Sequence, residues 1–377
     1  MPRIAIDYTA AYEQGGGIGR YVRDLVEALA KVDTKTDYRL FVSGALPRQL
    51  QQVPGQNFTW KPTRIEPKWL ARIWHRLQLP LPVEAFVGQV DLYHATNFVL
   101  PPHLPGLKTL LTVHDLSFVR VPEAASPSLK RYLDAVVPRS VHRATHILAD
   151  SQATKDDLID LYAVPSDKVT VLLSGIDPRF RRIVDNFDIS TMRIEYNLPQ
   201  TDYIFSIGTV QPRKNYERLI HALANLRSRG QDVDLIIAGG KGWLEDPIYQ
   251  AIDNLCLADH VHMIGFADDE DLPALYSGAK CVAFPSLYEG FGFPVLEGMA
   301  CGTPVITSNV SSLPEVAGDA AIMIDPYDVD ALTDALHAIL NDNNLRQSMI
   351  RKGHEQVSRF TWGRTAQQLH DIYMNLL

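Results

Sequence analysis

The sequence SLYEGFGFPVLEGMACGTPVI, residues 286–306, combines the strongest structural and chemical signals in this chain. Two glutamates, Glu289 and Glu297, stand eight positions apart in it, with a glycine-rich turn and then Pro294 between them. Proline suits the first position of a helix because its φ angle is preset and its missing N–H would be unpaired there. We therefore predict a loop that carries Glu289 and a helix that begins at Pro294, with Glu297 in its first turn.

The predicted start of this helix is suited to an anion. Free N–H groups at a helix N-terminus, beside glycines that allow close backbone approach, form a site for a group such as a diphosphate. A carboxylate beside that anion is better explained as an acceptor for sugar or ribose hydroxyls. The turn formed by Gly290, Phe291 and Gly292, together with the two glutamates, therefore predicts a nucleotide-sugar site. Two exposed glutamates, one favoured by the helix dipole, would be the simpler alternative, but it explains less of the stretch.

Length and composition predict a globular protein with two domains. The chain has 377 residues, which is long for one hydrophobic core. Its formal net charge of −8 argues against general nucleic-acid binding. The three cysteines show no metal-ligand spacing and fit a reducing, cytoplasmic setting. A predicted strand begins at the N-terminus, so we expect no signal peptide, and no apolar run approaches the ~18 residues of a membrane-spanning helix.

Short apolar strands alternate with helical stretches through most of the chain. Unbroken aliphatic runs are typical of parallel strands covered on both faces. The alternation predicts an α/β, doubly wound fold that occurs twice, with a ligand cleft between the two domains. The predicted strands are 3–7, 38–43, 92–94, 109–114, 146–150, 169–173, 203–207, 233–238, 261–264, 281–285, 304–307 and 321–324. The predicted helices include 19–31, 128–143, 153–161, 217–228 and 329–340.

Candidate site residues directly follow the predicted strand ends. Ligands of open α/β sheets bind beyond the carboxyl ends of the strands, where Gly208, Gly239 and Glu289 are placed. Gly239 would admit the close approach of a base or ribose. His114 leaves a buried strand and is a candidate acid–base or hydrogen-bonding group. For His94, at the end of a neighbouring strand, a functional and a structural role are equally compatible with the pattern.

Two cations precede a predicted helix in SIGTVQPRKNYERLI, residues 206–220. Arg213 and Lys214 are unfavourable there with the helix dipole alone. Their position is explained if they bind an anion that the helix N-terminus also binds. Arginine would bind it in bidentate fashion and lysine as a point charge. A solvated charged turn is the less favoured alternative.

A second glycine-rich stretch, GGGIGR at residues 15–20, precedes the first predicted helix. It matches the dinucleotide-binding fingerprint poorly, because that fingerprint needs a tight turn between strand and helix and an acidic residue after the second strand. The predicted strand ends at Asp7, well before the glycines, and Ser43 closes the second strand. A flexible loop that includes Gly17 and reaches over the cleft fits better, and a dinucleotide oxidoreductase is disfavoured.

Tryptophans alternate with basic side chains in residues 60–86. Trp69, Ile73 and Leu77 would share one face of a helix, with lysine and arginine alongside. Such a segment could rest on an anionic membrane, and an ordinary packed helix explains it equally well.

Taken together, the Glu-x7-Glu stretch, GTVQPRKN at 208–215 and the early glycine loop resemble the large fourth family of nucleotide-sugar glycosyltransferases. The resemblance covers nearly the whole chain. It implies the GT-B fold, with two facing Rossmann-like domains, and transfer of a sugar with retention of anomeric configuration, usually without a metal or cofactor. We expect an acceptor-binding domain at 1–178, a nucleotide-sugar domain at 179–360 and a last helix, 361–377, that crosses back to the first domain.

The resemblance also implies roles for residues of the second domain. Arg213 and Lys214 would hold the donor diphosphate. Glu289 would contact the donor sugar, together with the backbone at 291–292. Glu297 would accept hydrogen bonds from the ribose hydroxyls.

In the first domain, the resemblance places His114 beside the sugar and the acceptor, and Gly17 in a loop that touches phosphate or acceptor. The sequence departs from the family pattern at 174–177, SGID, where members commonly have Asn-Gly-Val-Asp. This departure leaves the contacts near the hinge open.

The style of HDLSF at 114–118, PRSVHRATHILADS at 138–151 and GTVQPRKN at 208–215 is most similar to bacterial mannosyltransferases of surface-polysaccharide assembly. That similarity suggests mannose transfer from GDP-mannose to a glycan or lipid-linked acceptor, at the cytoplasmic face of a membrane. Related members use UDP-glucose or UDP-N-acetylglucosamine, so a UDP-sugar donor stays open. A nucleotide-sugar epimerase and a non-catalytic sugar-nucleotide-binding subunit are the rival interpretations.

Overall fold

The computed structural model of the chain describes residues 1–377, apart from the side chain of Asn186, and contains two separate sheets. All strand pairs within them are parallel. The chain divides into two compact units, one built around each sheet. The first unit consists of Met1–Leu116, Arg131–Gly175 and Thr361–Leu377, and the second of Ser117–Lys130 and Ile176–Phe360.

The first sheet has seven strands in the order β3-β2-β1-β4-β5-β6-β7. Counted from its own first strand, this is the doubly wound order of a Rossmann-like fold with one strand added. The strands are β1 Arg3–Asp7, β2 Asp37–Ser43, β3 Phe58–Thr63, β4 Leu92–Ala95, β5 Lys108–Val113, β6 His146–Ala149 and β7 Val169–Val171. The helices up to residue 175 are α1 Thr9–Glu13, α2 Gly17–Val32, α3 Pro67–Ala71, α4 Glu84–Val87, α5 Ser117–Arg120, α6 Pro127–Arg143 and α7 Gln152–Tyr162. A π-helical turn, Arg72–Arg76, continues α3, and short 3₁₀ turns occupy Pro47–Gln49, Pro122–Ala124 and Ser166–Lys168.

The second sheet has six strands in the order β10-β9-β8-β11-β12-β13, which is again the doubly wound order. The strands are β8 Asp202–Ile207, β9 Val233–Ala238, β10 Val261–Gly265, β11 Cys281–Phe284, β12 Val305–Ser308 and β13 Ile322–Ile324. The helices after residue 175 are α8 Asn186–Glu195, α9 Tyr216–Ser228, α10 Asp246–Asn254, α11 Leu272–Ser277, α12 Phe293–Ala300, α13 Leu313–Ala317, α14 Val329–Asn341, α15 Asn343–Val357 and, in the first unit, α16 Trp362–Leu376. A 3₁₀ turn, Pro212–Lys214, precedes α9.

Strand β9 shows why the sheets are parallel and covered on both faces. All six residues of VDLIIA are buried, including those on alternate sides of the strand. Leu235 and Ile237 pack in a core with Leu219 and Leu223 of α9. Complete burial of such a side chain contributes ~1.5–3 kcal/mol, so a run of this kind strongly favours the centre of an α/β sheet.

The predicted α/β architecture with two Rossmann-like units is confirmed, but one edge strand was missed. Strand β3 was assigned to no element, because it contains Pro62, which cannot donate to a sheet ladder and is tolerated at an edge. The prediction of one continuous helix with Trp69, Ile73 and Leu77 on a single face is also wrong. Helix α3 ends at Ala71, and the chain continues as the π-helical turn before the prolines that follow Leu79.

Residues 117–130 belong to the second unit, although they lie within the predicted first domain. Val121 and Ala124 pack against Tyr288, and the indole N–H of Trp243 donates to the carbonyl oxygen of Ala124 over 2.8 Å. The sequence carries no signal for this assignment, because the contacts join segments more than a hundred residues apart.

Helix α16 belongs to the first unit. The Tyr373 hydroxyl lies 2.7 Å from Nδ1 of His94, and the Thr365 hydroxyl donates to the carbonyl oxygen of Leu173 over 2.8 Å. His94 is fully buried, and its Nε2 lies 2.8 Å from the Thr112 hydroxyl. Burial lowers the pKa of His94 to about 3, so the ring is neutral. Of the two roles open for His94, the geometry supports the structural one.

Candidate active site

The central strands of the second sheet, β8 and β11, lie next to each other, although three crossover connections separate them in the chain. Strand order reverses at this point, and such a switch point is where open α/β sheets bind ligands. The loop after β8 leads to Arg213, and the loop after β11 leads to Glu289. A backbone hydrogen bond of 2.8 Å from Leu287 N to Arg213 O joins the two loops.

Arg213, Lys214 and Glu289 form a buried ionic cluster. Nζ of Lys214 lies 2.6 Å from Oε1 of Glu289, and Nη1 of Arg213 lies 2.6 Å from Oε2. Arg213 also donates to the carbonyl oxygen of Tyr288 over 2.6 Å, and the Lys214 ammonium lies 4.6 Å from the centre of the Phe284 ring. Glu289 is only 8% exposed. The three predicted residues are therefore brought together at one carboxylate.

The electrostatics of this cluster suit an anionic ligand. Burial by itself would raise the pKa of Glu289, but the charges and hydrogen bonds of Arg213 and Lys214 lower it to about 2. The carboxylate is therefore ionised at neutral pH and fixes both cations. Two positive side chains against one negative side chain leave a formal positive charge in the cluster, which a phosphate oxygen could neutralise through charge-assisted hydrogen bonds.

Two glycines shape the loops beside this cluster. Gly208 has a φ of +144°, and a methyl group there would lie 2.7 Å from Cε of Lys214. Gly239 has a φ of +151°, and a methyl group there would overlap with the carbonyl oxygen of Gly208. Both positions thus need glycine for conformation and for the close contact of the loops after β8 and β9. The predicted role of Gly239 in admitting a base or ribose is not needed to explain the residue.

The turn before α12 is held by two serines from the loop after β12. The Glu289 amide donates to the Ser311 hydroxyl over 2.9 Å. The buried Ser312 hydroxyl lies within hydrogen-bonding distance of the carbonyl oxygens of Glu289, at 2.9 Å, and Phe291, at 2.8 Å. Gly292, the residue before the helix, has a φ of +114°. The position of the Glu289 carboxylate therefore depends on serines that sequence reasoning missed.

Glu297 lies deeper in the fold than predicted. Helix α12 begins at Phe293, one residue before Pro294, so Glu297 is its fifth residue and lies in the second turn. The side chain is 1% exposed, and its Oε2 accepts a hydrogen bond of 2.6 Å from the buried Tyr276 hydroxyl. The exposed first-turn glutamate of the simpler alternative is thereby ruled out. Tyr276 holds one carboxylate oxygen and limits how the other can be directed.

In the first unit, His114 is buried with both ring nitrogens engaged. Nδ1 lies 2.7 Å from Oδ2 of Asp150, and Nε2 donates to the carbonyl oxygen of Thr96 over 2.9 Å. Burial lowers the pKa of His114, but the charge and hydrogen bond of Asp150 more than offset it, so the net shift is upward. The geometry favours an electrostatic or hydrogen-bonding role for this ring over that of a general base.

Gly17, the other candidate in the first unit, is the first residue of α2 and is exposed. The glycine loop before it is tied to the unit by Arg23, whose Nη1 donates to the carbonyl oxygens of Ala11, over 2.7 Å, and Gln14, over 2.9 Å. A methyl group at Gly17 would meet no atom within 4 Å. Steric crowding therefore does not explain why residue 17 is a glycine.

Within the described residues, no three His, Cys, Asp or Glu side chains are grouped so that they could hold a metal ion. No helix in the same part of the chain is long and apolar enough to cross a membrane.

Two Rossmann-like units, with a cationic cluster and a carboxylate at the switch point of the second, fit a sugar-transferring enzyme, and known proteins of that class are similar to this chain. Residues 15–180 match the family described as Glycosyltransferase Family 4, and residues 188–356 match the one described as Glycosyl transferases group 1. O-antigen chain mannosyltransferase B of Escherichia coli is 32% identical over 374 residues, which cover 95% of each chain. The chain therefore belongs to glycosyltransferase family 4.

One further relative supports this assignment, and one solved structure shows the fold. The serotype-specific mannosyltransferase WbdA of Escherichia coli is 30% identical over 302 residues, which are 78% of this chain and 36% of WbdA. The structure of sucrose-phosphate synthase from Thermosynechococcus elongatus superposes with a TM-score of 0.76 at 22% identity, covering 100% of this chain and 99% of that one. The chain thus has the GT-B fold, and the predicted family, fold and glycosyltransferase activity are confirmed.

Proposed function

We propose that this glycosyltransferase moves mannose from GDP-mannose to a hydroxyl group of a glycan or lipid-linked saccharide, with retention of anomeric configuration. The choice of mannose is supported by the similarity to O-antigen chain mannosyltransferase B and to WbdA. The observation that carries the proposal is the cluster of Arg213 and Lys214 on the Glu289 carboxylate at the switch point of the second sheet. This cluster combines charge for a diphosphate with an acceptor for sugar hydroxyls.

In the proposed reaction, the acceptor hydroxyl forms a bond to the anomeric carbon on the face from which the diphosphate leaves. The bond between the anomeric carbon and the phosphate oxygen breaks, and its electron pair stays on the GDP. The leaving phosphate oxygen takes the acceptor proton. Arg213, Lys214 and the N-terminal amides of α12 stabilise the charge that develops on the diphosphate.

The glutamates have separate roles in this mechanism. Glu289 orients Arg213 and Lys214 and accepts a hydrogen bond from the donor sugar. Glu297 accepts from the ribose hydroxyls, while Tyr276 fixes its other oxygen. His114 supports the bound sugar by charge or hydrogen bonding. No residue role in this mechanism requires a metal ion or cofactor, and we propose that none takes part.

A donor competition assay tests the proposal. The purified chain is incubated with GDP-mannose, UDP-glucose or UDP-N-acetylglucosamine, each with and without a mannose-terminated acceptor, and nucleotide release is measured. We expect acceptor-dependent GDP release that EDTA does not reduce, and proton NMR of the product should show an α-anomeric linkage. Faster turnover of a UDP-sugar would overturn the donor assignment. Donor consumption without acceptor would indicate an epimerase or hydrolase, and tight donor binding without turnover a non-catalytic subunit.

We also propose peripheral contact with the cytoplasmic face of a membrane through residues 60–86. Trp69 is 49% exposed and Leu77 63% exposed, and the Arg72 guanidinium lies 4.6 Å from the centre of the Trp69 ring. Exposed tryptophan and leucine beside cations are typical of a surface that rests in the lipid headgroup region. Trp60 does not belong to this surface, because it is only partly exposed and its indole N–H donates to the carbonyl oxygen of Gln51.

Sedimentation with vesicles tests the membrane contact. The doubly substituted chain Trp69→Ala, Leu77→Ala should lose binding to vesicles that contain phosphatidylglycerol, while Leu244→Ala, which removes an exposed leucine of the second unit, should bind like the wild type. Equal binding of all three proteins would remove this segment from the proposal.

A further inference from the structure

A cavity of about 560 Å³ lies in the first unit, between the π-helical turn after α3 and the C-terminal half of α6. Its volume is in the range of pockets that bind small molecules, roughly 300–1,000 Å³. Trp74 and Leu79 line it from the first of these segments, and Val136, Arg139 and Arg143 line it from α6. None of these residues takes part in the proposed sugar transfer.

The lining of the cavity is cationic and contains no carboxylate. Arg139 and Arg143 form no ion pair in the part of the chain that the structure describes; Arg143 instead donates to the carbonyl oxygens of Leu100, over 3.4 Å, and Pro101, over 2.9 Å. Burial and the nearby charge of Arg143 lower the pKa of His75, another lining residue, to about 4. The permanent positive charge of the cavity therefore comes from the two arginines.

The remaining lining is mostly apolar. The Trp74 indole N–H is already used, since it donates to the carbonyl oxygen of Leu81 over 2.8 Å, so the rest of the ring offers apolar surface. Pro80 and Pro102 add apolar surface without N–H donors. The lining has no carboxylate to accept hydrogen bonds from the hydroxyls of a neutral glycan, and its two guanidinium groups offer only donors. An anion attached to an apolar group matches this lining better.

Leu79 connects the cavity with the exposed apolar surface of the same segment. It lines the cavity and is half exposed, as is Trp69 on the helix that precedes it. A molecule whose phosphate lies in the cavity would thus leave its apolar part beside side chains suited to lipid. Guanidinium groups bind phosphate in bidentate fashion, which gives Arg139 and Arg143 a ligand of matching geometry.

We propose that this cavity binds the phosphate headgroup of an anionic membrane phospholipid, with Arg139 and Arg143 on the phosphate and Trp74 and Leu79 against the first carbons of the lipid. The inference extends the proposed membrane contact by naming a lipid class and a binding site. It does not depend on the donor sugar. The test uses lipid monomers in place of vesicles. A failure of lipid binding in the cavity can therefore be distinguished from a failure of the proposed membrane contact.

The experiment is calorimetric titration of the full chain with dihexanoyl phosphatidylglycerol below its micelle concentration, with dihexanoyl phosphatidylcholine and with inorganic phosphate. The test variant is Arg139→Glu, whose side chain is exposed and has no intramolecular partner among the described residues. The matched control is Arg131→Glu on the same helix, because it makes the same charge change at an exposed site that does not line the cavity. Thermal melting of both variants checks that they are folded.

We expect wild type and Arg131→Glu to bind phosphatidylglycerol monomers alike and Arg139→Glu to bind about tenfold more weakly or not at all, as loss of hydrogen bonds to a charged group implies. Phosphatidylcholine should bind more weakly than phosphatidylglycerol. Three results would overturn the proposal. The first is that the wild type does not bind lipid monomers. The second is an equal loss of binding in both variants, which would indicate diffuse electrostatic attraction, and the third is that inorganic phosphate binds as tightly as the lipid, which would indicate a free-phosphate site.

Discussion

At the scale of single residues, the ionic cluster at Glu289 explains why two cations precede α9. The helix dipole disfavours Arg213 and Lys214 at this position. The Glu289 carboxylate offsets that effect, because each of its oxygens lies 2.6 Å from one of the cations. The carboxylate therefore holds both cations in place, and such preorganised charge is the arrangement that stabilises a leaving group most effectively.

Lys214→Ala should lower kcat/KM for the donor by a factor of ~10²–10³, because removal of one donor that stabilises transition-state charge has an effect of that order. Steady-state kinetics with the preferred nucleotide-sugar measures it. Lys352→Ala is the control, since it removes a half-exposed lysine that pairs with the exposed Asp319 at 3.1 Å. Turnover of Lys214→Ala within a few-fold of the wild type would exclude the proposed role.

The ionic cluster at Glu289 should make the stability of the folded protein depend on pH. The folded-state pKa of Glu289 is about 2, below its ordinary value of 4.5. A carboxyl group with a lowered pKa stabilises the folded state above its unfolded pKa, and the contribution is lost as pH falls through the folded pKa. The melting temperatures of wild type and Glu289→Gln should therefore differ most at neutral pH and converge between about pH 4.5 and 2. A difference that does not change with pH would show that Glu289 is not held as described.

A third prediction concerns Tyr276, whose hydroxyl donates to Glu297 over 2.6 Å. Tyr276→Phe should weaken binding of the donor nucleotide about tenfold, or ~1.4 kcal/mol, because the carboxylate loses the contact that orients it. Tyr203→Phe is a matched control, since Tyr203 is equally buried and donates over 2.7 Å to the carbonyl oxygen of Leu275 instead. If both variants bind the nucleotide alike at similar stability, the Tyr276 contact has no part in positioning Glu297.

At the scale of elements, the site depends on the loop between β12 and α13. The Ser312 hydroxyl holds the carbonyl oxygens of Glu289 and Phe291, so it fixes the turn from which α12 starts. We expect Ser312→Ala to lower kcat/KM about tenfold and to destabilise the fold by ~1 kcal/mol, the typical net contribution of a buried hydrogen bond.

Ser308→Ala provides the comparison for this element. Ser308 ends β12 and is fully buried, and its hydroxyl has no hydrogen-bond partner within the described residues. Its removal should be neutral or stabilising, because no hydrogen bond is lost and an unsatisfied polar group disappears. Equal losses of activity in both serine variants would show that the loop tolerates neither change and would argue against a specific role for Ser312.

The sequence allowed correct prediction of elements wherever local pattern alone determines them. Strands such as Arg3–Asp7 and Val233–Ala238 appear with the predicted bounds, because short, mostly apolar runs are typical of parallel strands covered on both faces. The edge strand Phe58–Thr63 was missed because exposure and Pro62 weaken the pattern. Among site residues, Arg213 and Glu289 carried recognisable motifs, whereas Tyr276 and Ser312 act through contacts across the fold that no local pattern records.

At the scale of the whole molecule, the chain leaves the first unit after Gly175 and returns to it at Thr361. The two passages lie against each other, since a methyl group on Gly175 would overlap with the backbone nitrogen of Trp362. Gly175 therefore fixes where α16 begins. The sequence departs from the family pattern around this glycine, at Ser174 and Ile176, but retains the glycine itself.

Gly175→Ala should destabilise the first unit by ~1–3 kcal/mol, because the added methyl group forces the backbone of the two passages apart. Gly363→Ala is the control at the same place, since a methyl group there meets no atom within 4 Å and alanine favours the first turn of α16. Hydrogen exchange of α16 and thermal melting measure both effects. Faster exchange in Gly175→Ala than in Gly363→Ala would show that this single contact sets how firmly the last helix is attached to the unit it completes. Equal exchange in the two variants would mean that α16 is held instead by its side-chain contacts, such as that between Tyr373 and His94.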